Sequence, residues 1–127
     1  LVAILLVQPF ACLDAGGSGS DFMVVEYGAQ VLSRIGTDGN RIPLYRFRDG
    51  TWPRSVVVDP AGNFVVTELL ADVLSKITPD GQRRVIYQFS KGTIPDSVAI
   101  DSEGNYIVTE GGVNLLSRIT SSGSRTS

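Results

Sequence analysis

Three glutamates, Glu26, Glu68 and Glu110, stand 42 residues apart in a chain of 127. Carboxylates are hard oxygen donors, and three of them gathered around one axis would suit Mg²⁺ or Ca²⁺. At a separation of about 10 Å each pair would repel by roughly 1.7 kcal/mol at an effective dielectric of about 20, and by about 0.4 kcal/mol in water. A cation is therefore favoured only where their surroundings are partly dry. The other use of a repeated carboxylate is structural: it accepts hydrogen bonds from backbone N–H groups or pairs with arginine, and so holds its own loop. Ser33, Ser75 and Ser117 recur at the same interval, but the chain has no histidine to activate a hydroxyl. The commonest general base and transition-metal ligand is thus absent. Cys12 is the single cysteine, which excludes an intrachain disulfide and a thiolate zinc cluster.

The interval of 42 extends far beyond these residues. Ile35, Ile77 and Ile119 keep it, as do Gly39, Gly81 and Gly123. Pro53 with Pro95, Asp59 with Asp101, Asn63 with Asn105, Tyr45 with Tyr87 and Phe47 with Phe89 keep it too. A period of this size points to a solenoid or a propeller. Each unit holds four short apolar runs, in the second unit SVVVD, NFVVTE, VLSKIT and RVIYQF. They are rich in β-branched and aromatic residues and have the length of ordinary strands. PAG and PDG supply turns between them. The runs are apolar at consecutive positions, as expected for sheets covered on both faces. A helical repeat is excluded, because Pro60, Gly62, Pro79, Gly81, Gly92 and Pro95 leave no helix-length window.

The pattern predicts an all-β fold of β-propeller blades, each a four-stranded antiparallel sheet. Residues 9–50 form the first blade, with PFACLD standing where PRSVVVD stands later; residues 51–92 form the second. Residues 93–127 form an incomplete third blade that lacks its fourth run. Residues 1–8 form a separate apolar segment.

The phrase PRSVVVDPAGNFVVTELLADVLSKITPDG resembles the repeats of virginiamycin B (streptogramin) lyases, and the NHL-repeat and SMP-30/gluconolactonase propellers share its pattern. The resemblance covers residues 21 to 123. It implies three blades of a six- or seven-bladed ring, and a function drawn from a fold that hosts many. In the lyases it further implies magnesium held by histidine and glutamate near the central channel. This chain supplies no histidine for that role.

Antiparallel order puts the loop after the second strand and the approach to the first strand on one face. Glu26, Glu68 and Glu110 then share the channel mouth with Trp52, Pro53 and Arg54 and with Ile94, Pro95 and Asp96. The candidate ligand-binding residues are Glu26, Glu68, Glu110, Trp52, Arg54 and Asp96, with the three glutamates as metal candidates. Trp52 breaks the repeat, being replaced by Ile94, and is a ligand platform or a packed core residue. Asp59 and Asp101 are expected to cap their own turns, and Tyr45 and Tyr87 to pack between blades.

Hydrophobic residues at 43% and charged ones at 19% mark a globular chain. A net charge of −2 and a pI near 5.0 argue against nucleic acid. LVAILLV is too short to span a bilayer. It is either the remnant of a secretory signal, with FAC–Leu as a lipoprotein-like box around Cys12, or a strand that closes a blade. Three blades cannot close a ring. The chain is therefore expected to be a piece of a longer protein, or a half-propeller that homodimerises. The functions in view are an extracytoplasmic module binding a small molecule or a protein, a magnesium-dependent lyase or lactonase-like hydrolase, and a self-assembling scaffold.

Overall fold

The computed structural model describes residues 4–11 and 20–126. Its twelve strands are β1 (Ile4–Ala11), β2 (Ser20–Glu26), β3 (Val31–Ile35), β4 (Arg41–Arg46), β5 (Pro53–Val58), β6 (Phe64–Glu68), β7 (Val73–Ile77), β8 (Arg83–Gln88), β9 (Pro95–Ile100), β10 (Tyr106–Glu110), β11 (Leu115–Ile119) and β12 (Arg125–Thr126). They form three antiparallel four-stranded sheets, β1-β2-β3-β4, β5-β6-β7-β8 and β9-β10-β11-β12, each laid down in chain order. The described residues contain no helix, and hence none long and apolar enough to cross a membrane.

The turns explain the strand order. At Gly62 and Gly81 the backbone adopts φ of 86° and 90°, which glycine reaches without the Cβ clash other residues meet. Asp59 caps its turn as expected: one carboxylate oxygen accepts the amides of Ala61 at 3.0 Å and Asn63 at 2.8 Å. Asp101 does the same for Glu103 and Asn105, both at 2.9 Å.

The sheets stack face to face, and their cores lie between them. Met23, Val25, Leu32 and Phe47 of the first sheet pack on Val56, Phe64, Val66 and Ile77 of the second. Val57, Val65, Leu74 and Phe89 of the second pack on Val98, Tyr106, Val108 and Ile119 of the third. Each sheet thus has a leading face, turned to the sheet before it, and a trailing face, turned to the sheet after it. Tyr45 and Tyr87 join these seams, each edge-on to the Phe two residues later. The inner strands β1, β5 and β9 abut in succession, as strands around a channel do.

The structure departs from the 42-residue count at two places. The first inner strand is Ile4–Ala11, so it crosses the boundary expected between residues 8 and 9. ILLVQP, not PFACLD, pairs as PRSVVV does: Pro9 faces Phe22 as Val58 faces Phe64, and Ile4 faces Glu26 as Pro53 faces Glu68. Ala11 and Ser20 stand further apart in sequence than Val58 and Phe64, so counting back from the second unit falls short of the strand's start. Cys12 lies outside the described residues. At the other end, Arg125 and Thr126 pair with Ile119 and Arg118, so the third sheet does have a short fourth strand.

Candidate functional site

The approaches to the inner strands β5 and β9 are built from the same backbone contacts. In the second sheet the Leu69 and Leu70 amides donate to the Trp52 and Thr51 carbonyls, at 3.0 and 3.1 Å. In the third, the Gly111 and Gly112 amides donate to the Ile94 and Thr93 carbonyls, both at 2.9 Å. The two loops expected on one face are therefore hydrogen-bonded together. Gly112 is needed for this approach, since a Cβ there would fall 2.0 Å from the Gly92 carbonyl oxygen.

Trp52 and Ile94 both sit in the left-handed region, at φ of 55°. A bulky or β-branched residue there is strained, and each also precedes a proline. The preceding sheet holds them. The Gln30 side-chain carbonyl accepts the Thr51 and Trp52 amides at 2.9 and 3.2 Å. Asp72 accepts the Gly92 and Ile94 amides at 2.9 and 2.8 Å. The result projects apolar side chains outward. Trp52 is 45% exposed, Leu70 is 52% exposed, and the Tyr27 ring lies 5.7 Å from the Trp52 ring, tilted by 45°.

Arg54 and Asp96 hold the same repeat position in successive blades, and they meet. The Arg54 Nε lies 2.7 Å from Asp96 Oδ1, with both side chains about two-fifths exposed. A mixed-charge pair therefore bridges inner strands β5 and β9. Thr67 Oγ1 steadies it by donating to the Asp96 carbonyl at 2.7 Å.

The glutamates are arranged differently. All three are buried, and each is engaged by an arginine of its own sheet. Arg83 makes a two-pronged pair with Glu68, Nε to Oε1 at 2.8 Å and Nη2 to Oε2 at 2.7 Å. Arg41 Nε reaches Glu26 Oε2 at 2.8 Å, and Arg125 Nη2 reaches Glu110 Oε1 at 2.8 Å. Ser33 donates to Glu26 at 2.9 Å, and Ser117 donates to Glu110. The Glu68 carboxylate raises the Arg83 pKa above its ordinary value, against the opposing effect of burial. Among the described residues no three Asp, Glu, His or Cys side chains are grouped as a metal site. What Glu68 and Glu110 do line is the seams. A cleft of about 350 Å³ separates Tyr45 and Phe47 from Glu68 and Arg83, and one of about 180 Å³ separates Tyr87 and Phe89 from Glu110 and Arg125.

Two groups escaped the sequence reading. Arg41, Arg83 and Arg125 keep the 42-residue interval as faithfully as the glutamates do, so the pairing was there to be found. Gln30 and Asp72 are also 42 apart, but their role depends on backbone amides about half a repeat downstream.

Stacked, radially ordered four-stranded sheets with inner strands in succession define β-propeller blades. Comparison with solved structures places them. The chain matches virginiamycin B lyase from Staphylococcus aureus at 25% identity and a TM-score of 0.78, over 97% of this chain and 40% of that one. It matches a chain of a nidogen/laminin complex at 19% identity and a TM-score of 0.75, over 97% of this chain and 46% of that one. It matches a protein assigned to the gluconolactonases at 19% identity and a TM-score of 0.61, over 90% of this chain and 44% of that one. No protein-family model matches the sequence, and no curated protein matches it. The chain is a set of β-propeller blades similar to those of virginiamycin B lyase, and it shares the propeller fold of the gluconolactonase-like protein. It spans about two-fifths of the lyase. A second structure of that lyase is a catalytically inactive histidine-to-alanine variant with quinupristin; the chain described here has no histidine.

Proposed function

We propose that this chain is an extracytoplasmic binding module whose channel mouth, centred on Trp52, takes an aromatic or apolar small molecule or peptide. The observation that carries the reading is the backbone of Trp52. A tryptophan held at φ 55° by a cap from the neighbouring sheet, with nearly half its surface in water, has a strained conformation that adds nothing to the core. Such strain clusters at ligand sites. Trp52 with Tyr27 offers an aromatic platform, and Arg54 with Asp96 offers one charge of each sign for a polar substituent. Glu26, Glu68 and Glu110 serve this reading as supports, because arginines already occupy their carboxylates. Placement outside the cytoplasm rests on the acidic composition of the sequence, since the apolar stretch from Ile4 belongs to the inner strand β1. Antibody detection in fractionated cells checks it, and recovery in the cytoplasmic fraction alone overturns it.

Trp52 is the only tryptophan, so intrinsic fluorescence reports this site and no other. Titration with quinupristin, and separately with a simple aromatic amide, should quench it saturably. Trp52→Ala should weaken the same binding, followed by calorimetry, by about 10-fold or more. A fluorescence signal indifferent to millimolar concentrations of both probes would remove the proposal.

A further inference from the structure

The seam between the first and second sheets and the seam between the second and third follow one plan, yet they enclose different spaces. In the first, Tyr45 and Phe47 stand opposite Glu68 and Arg83 across about 350 Å³; in the second, Tyr87 and Phe89 stand opposite Glu110 and Arg125 across about 180 Å³. Small-molecule sites occupy about 300–1,000 Å³, so the first cleft is large enough for a ligand and the second is not. Side-chain size accounts for the difference. Val113 and Leu115 line the second cleft, and their counterparts one repeat earlier are the smaller Ala71 and Val73. Charge differs as well, because Arg48 lines the first cleft where Ser90 lines the second. A turn fixes the backbone of Arg48: its carbonyl accepts the Thr51 amide at 3.1 Å, around Gly50 at φ 85°. Its guanidinium has no ion pair or hydrogen bond among the described residues. The two carboxylates of the cleft are already paired, Glu68 with Arg83 at 2.7 Å and Asp49 with Arg46 at 3.7 Å. Arg48 is thus the cation of the cleft that lacks a counter-ion.

We propose that this cleft binds a small aromatic carboxylate, with its anionic end on Arg48 and its ring against Tyr45. The site is separate from the channel mouth, since neither Trp52 nor Arg54 lines it, and the proposal does not depend on the mouth reading. A planar guanidinium meets a carboxylate with two parallel hydrogen bonds, and Arg48 has its whole fork free for that pairing. Tyr45 is half-buried and lies edge-on to Phe47, the ring centroids 4.9 Å apart. Its ring is therefore held in position before a ligand arrives, and aromatic rings favour such offset or edge contacts with one another. On the opposite wall Arg83 engages both oxygens of Glu68 through Nε and Nη2, which offsets the charge that would otherwise repel an anion. An amine would meet the reverse situation, two carboxylates already paired and one guanidinium unopposed. Both walls belong to adjoining sheets inside the stack, so the cleft is built wholly from described residues.

Benzoate is the probe. Titrated into the isotope-labelled full chain and followed by NMR, it should shift the Gly50 and Ala71 amide resonances saturably at millimolar concentration and leave those of Gly92 and Val113, in the second seam, in place. Benzamide, which has the same ring without the charge, should bind at least about 10-fold more weakly. Arg48→Ala should weaken benzoate by about 10-fold or more, and because Arg48 is exposed the melting temperature should not move. Ala71→Val gives the first cleft the residue that the second carries, and should exclude benzoate while circular dichroism stays unchanged. Trp52→Ala should leave benzoate binding as it was, so failure here and failure at the channel mouth are read separately. The absence of any saturable shift at millimolar benzoate overturns the proposal. So does binding that Arg48→Ala leaves intact, and so does binding that Trp52→Ala abolishes, which would put the acid at the mouth.

Discussion

The middle sheet and the third sheet share one sequence pattern and have quite different surroundings. Strand β6 is buried at every residue from Phe64 to Glu68, while β10 alternates, with Ile107 half-buried and Thr109 exposed. Thr67, the repeat partner of Thr109, is fully buried. Neither strand chooses its burial locally. The apolar residues of a blade are placed for the sheet that will lie on it, and where no sheet lies on it they stand in water. The difference teaches that the folding unit here is the seam, not the blade.

The comparison can be broken most severely at Leu74 and Leu116. Leu74→Glu puts an uncompensated charge into a closed seam and should cost more than about 4 kcal/mol, enough to unfold a small domain. Leu116→Glu should change the stability of the single chain by less than about 0.5 kcal/mol. Urea denaturation of both variants at low protein concentration checks this, and equal losses would mean that the third sheet is covered after all.

The ion pairs give the next contrast. Arg83→Ala leaves Glu68, whose side chain is 2% exposed, without its partner. Removal of one member of a buried pair costs about 3–5 kcal/mol. Arg41→Ala should cost about 1 kcal/mol, since its pair stands at an open face where water screens the charge. Ser33 would still donate to Glu26. Thermal melts at matched ionic strength separate the two; a loss at Arg41 as large as at Arg83 would contradict the open leading face.

Much of this was legible in the sequence, because a constant interval exposes both the sheets and the positions that matter in each. The turn aspartates, the aromatic seams and the approach of the two mouth loops were readable from Asp59, Tyr45 and Pro53 alone. The first inner strand was misplaced because a longer stretch of sequence between β1 and β2 breaks the interval while the pairing register with Phe22 survives it. The fourth strand at Arg125–Thr126 was missed because two polar residues carry no apolar pattern, though Arg125 itself is in register with Arg83. The glutamates were read either as cation ligands or as supports paired with arginine, and which arginines was not evident because the partners lie 15 residues downstream, across two strands of a twisted sheet. The left-handed backbone at Trp52 had no local signal at all. It is imposed by Gln30, 22 residues away in the neighbouring sheet.

The serines offer a contrast of sign. Ser33 donates to Glu26, but Ser75 Oγ is buried with no hydrogen-bond partner, while Arg83 takes both oxygens of Glu68. Ser33→Ala removes a hydrogen bond to a charged group and should cost about 1 kcal/mol. Ser75→Ala removes an unsatisfied hydroxyl and should be neutral or stabilising by up to about 1 kcal/mol. Paired denaturation curves decide it; a destabilised Ser75→Ala would mean that the hydroxyl has an acceptor after all.

The smallest effect lies in how the two sheets answer to pH. In the third sheet the Asn105 amide, against a little burial and with help from Arg118, lowers the Asp101 pKa to about 2. A carboxylate depressed in the folded state adds stability that is present above its unfolded value, about 3.9, and is lost as pH falls through 2. Its partner Arg118 stays charged throughout the accessible range, so this pair has an acid limb only. In the middle sheet burial pushes the Asp59 pKa up, but the Asn63 amide and the Lys76 ammonium outweigh it and the net shift is downward. Burial likewise disfavours the Lys76 charge, yet the Tyr106 hydroxyl and the Asp59 carboxylate, 3.1 Å from Nζ, leave its pKa raised. A lysine raised in the folded state adds stability that is complete below its unfolded value of 10.5 and is lost as pH climbs through the folded one. The middle sheet should therefore weaken at both extremes and the third at the acid extreme alone. Melting temperature followed against pH should show an alkaline decline above about 10.5 that Lys76→Arg removes, because guanidinium does not titrate there. Asp101→Asn should flatten part of the acid limb and leave the alkaline one untouched. If Lys76→Arg left the alkaline decline in place, the buried pair beneath Tyr106 would not be its source, and the contrast between the covered and the open sheet would rest on packing alone.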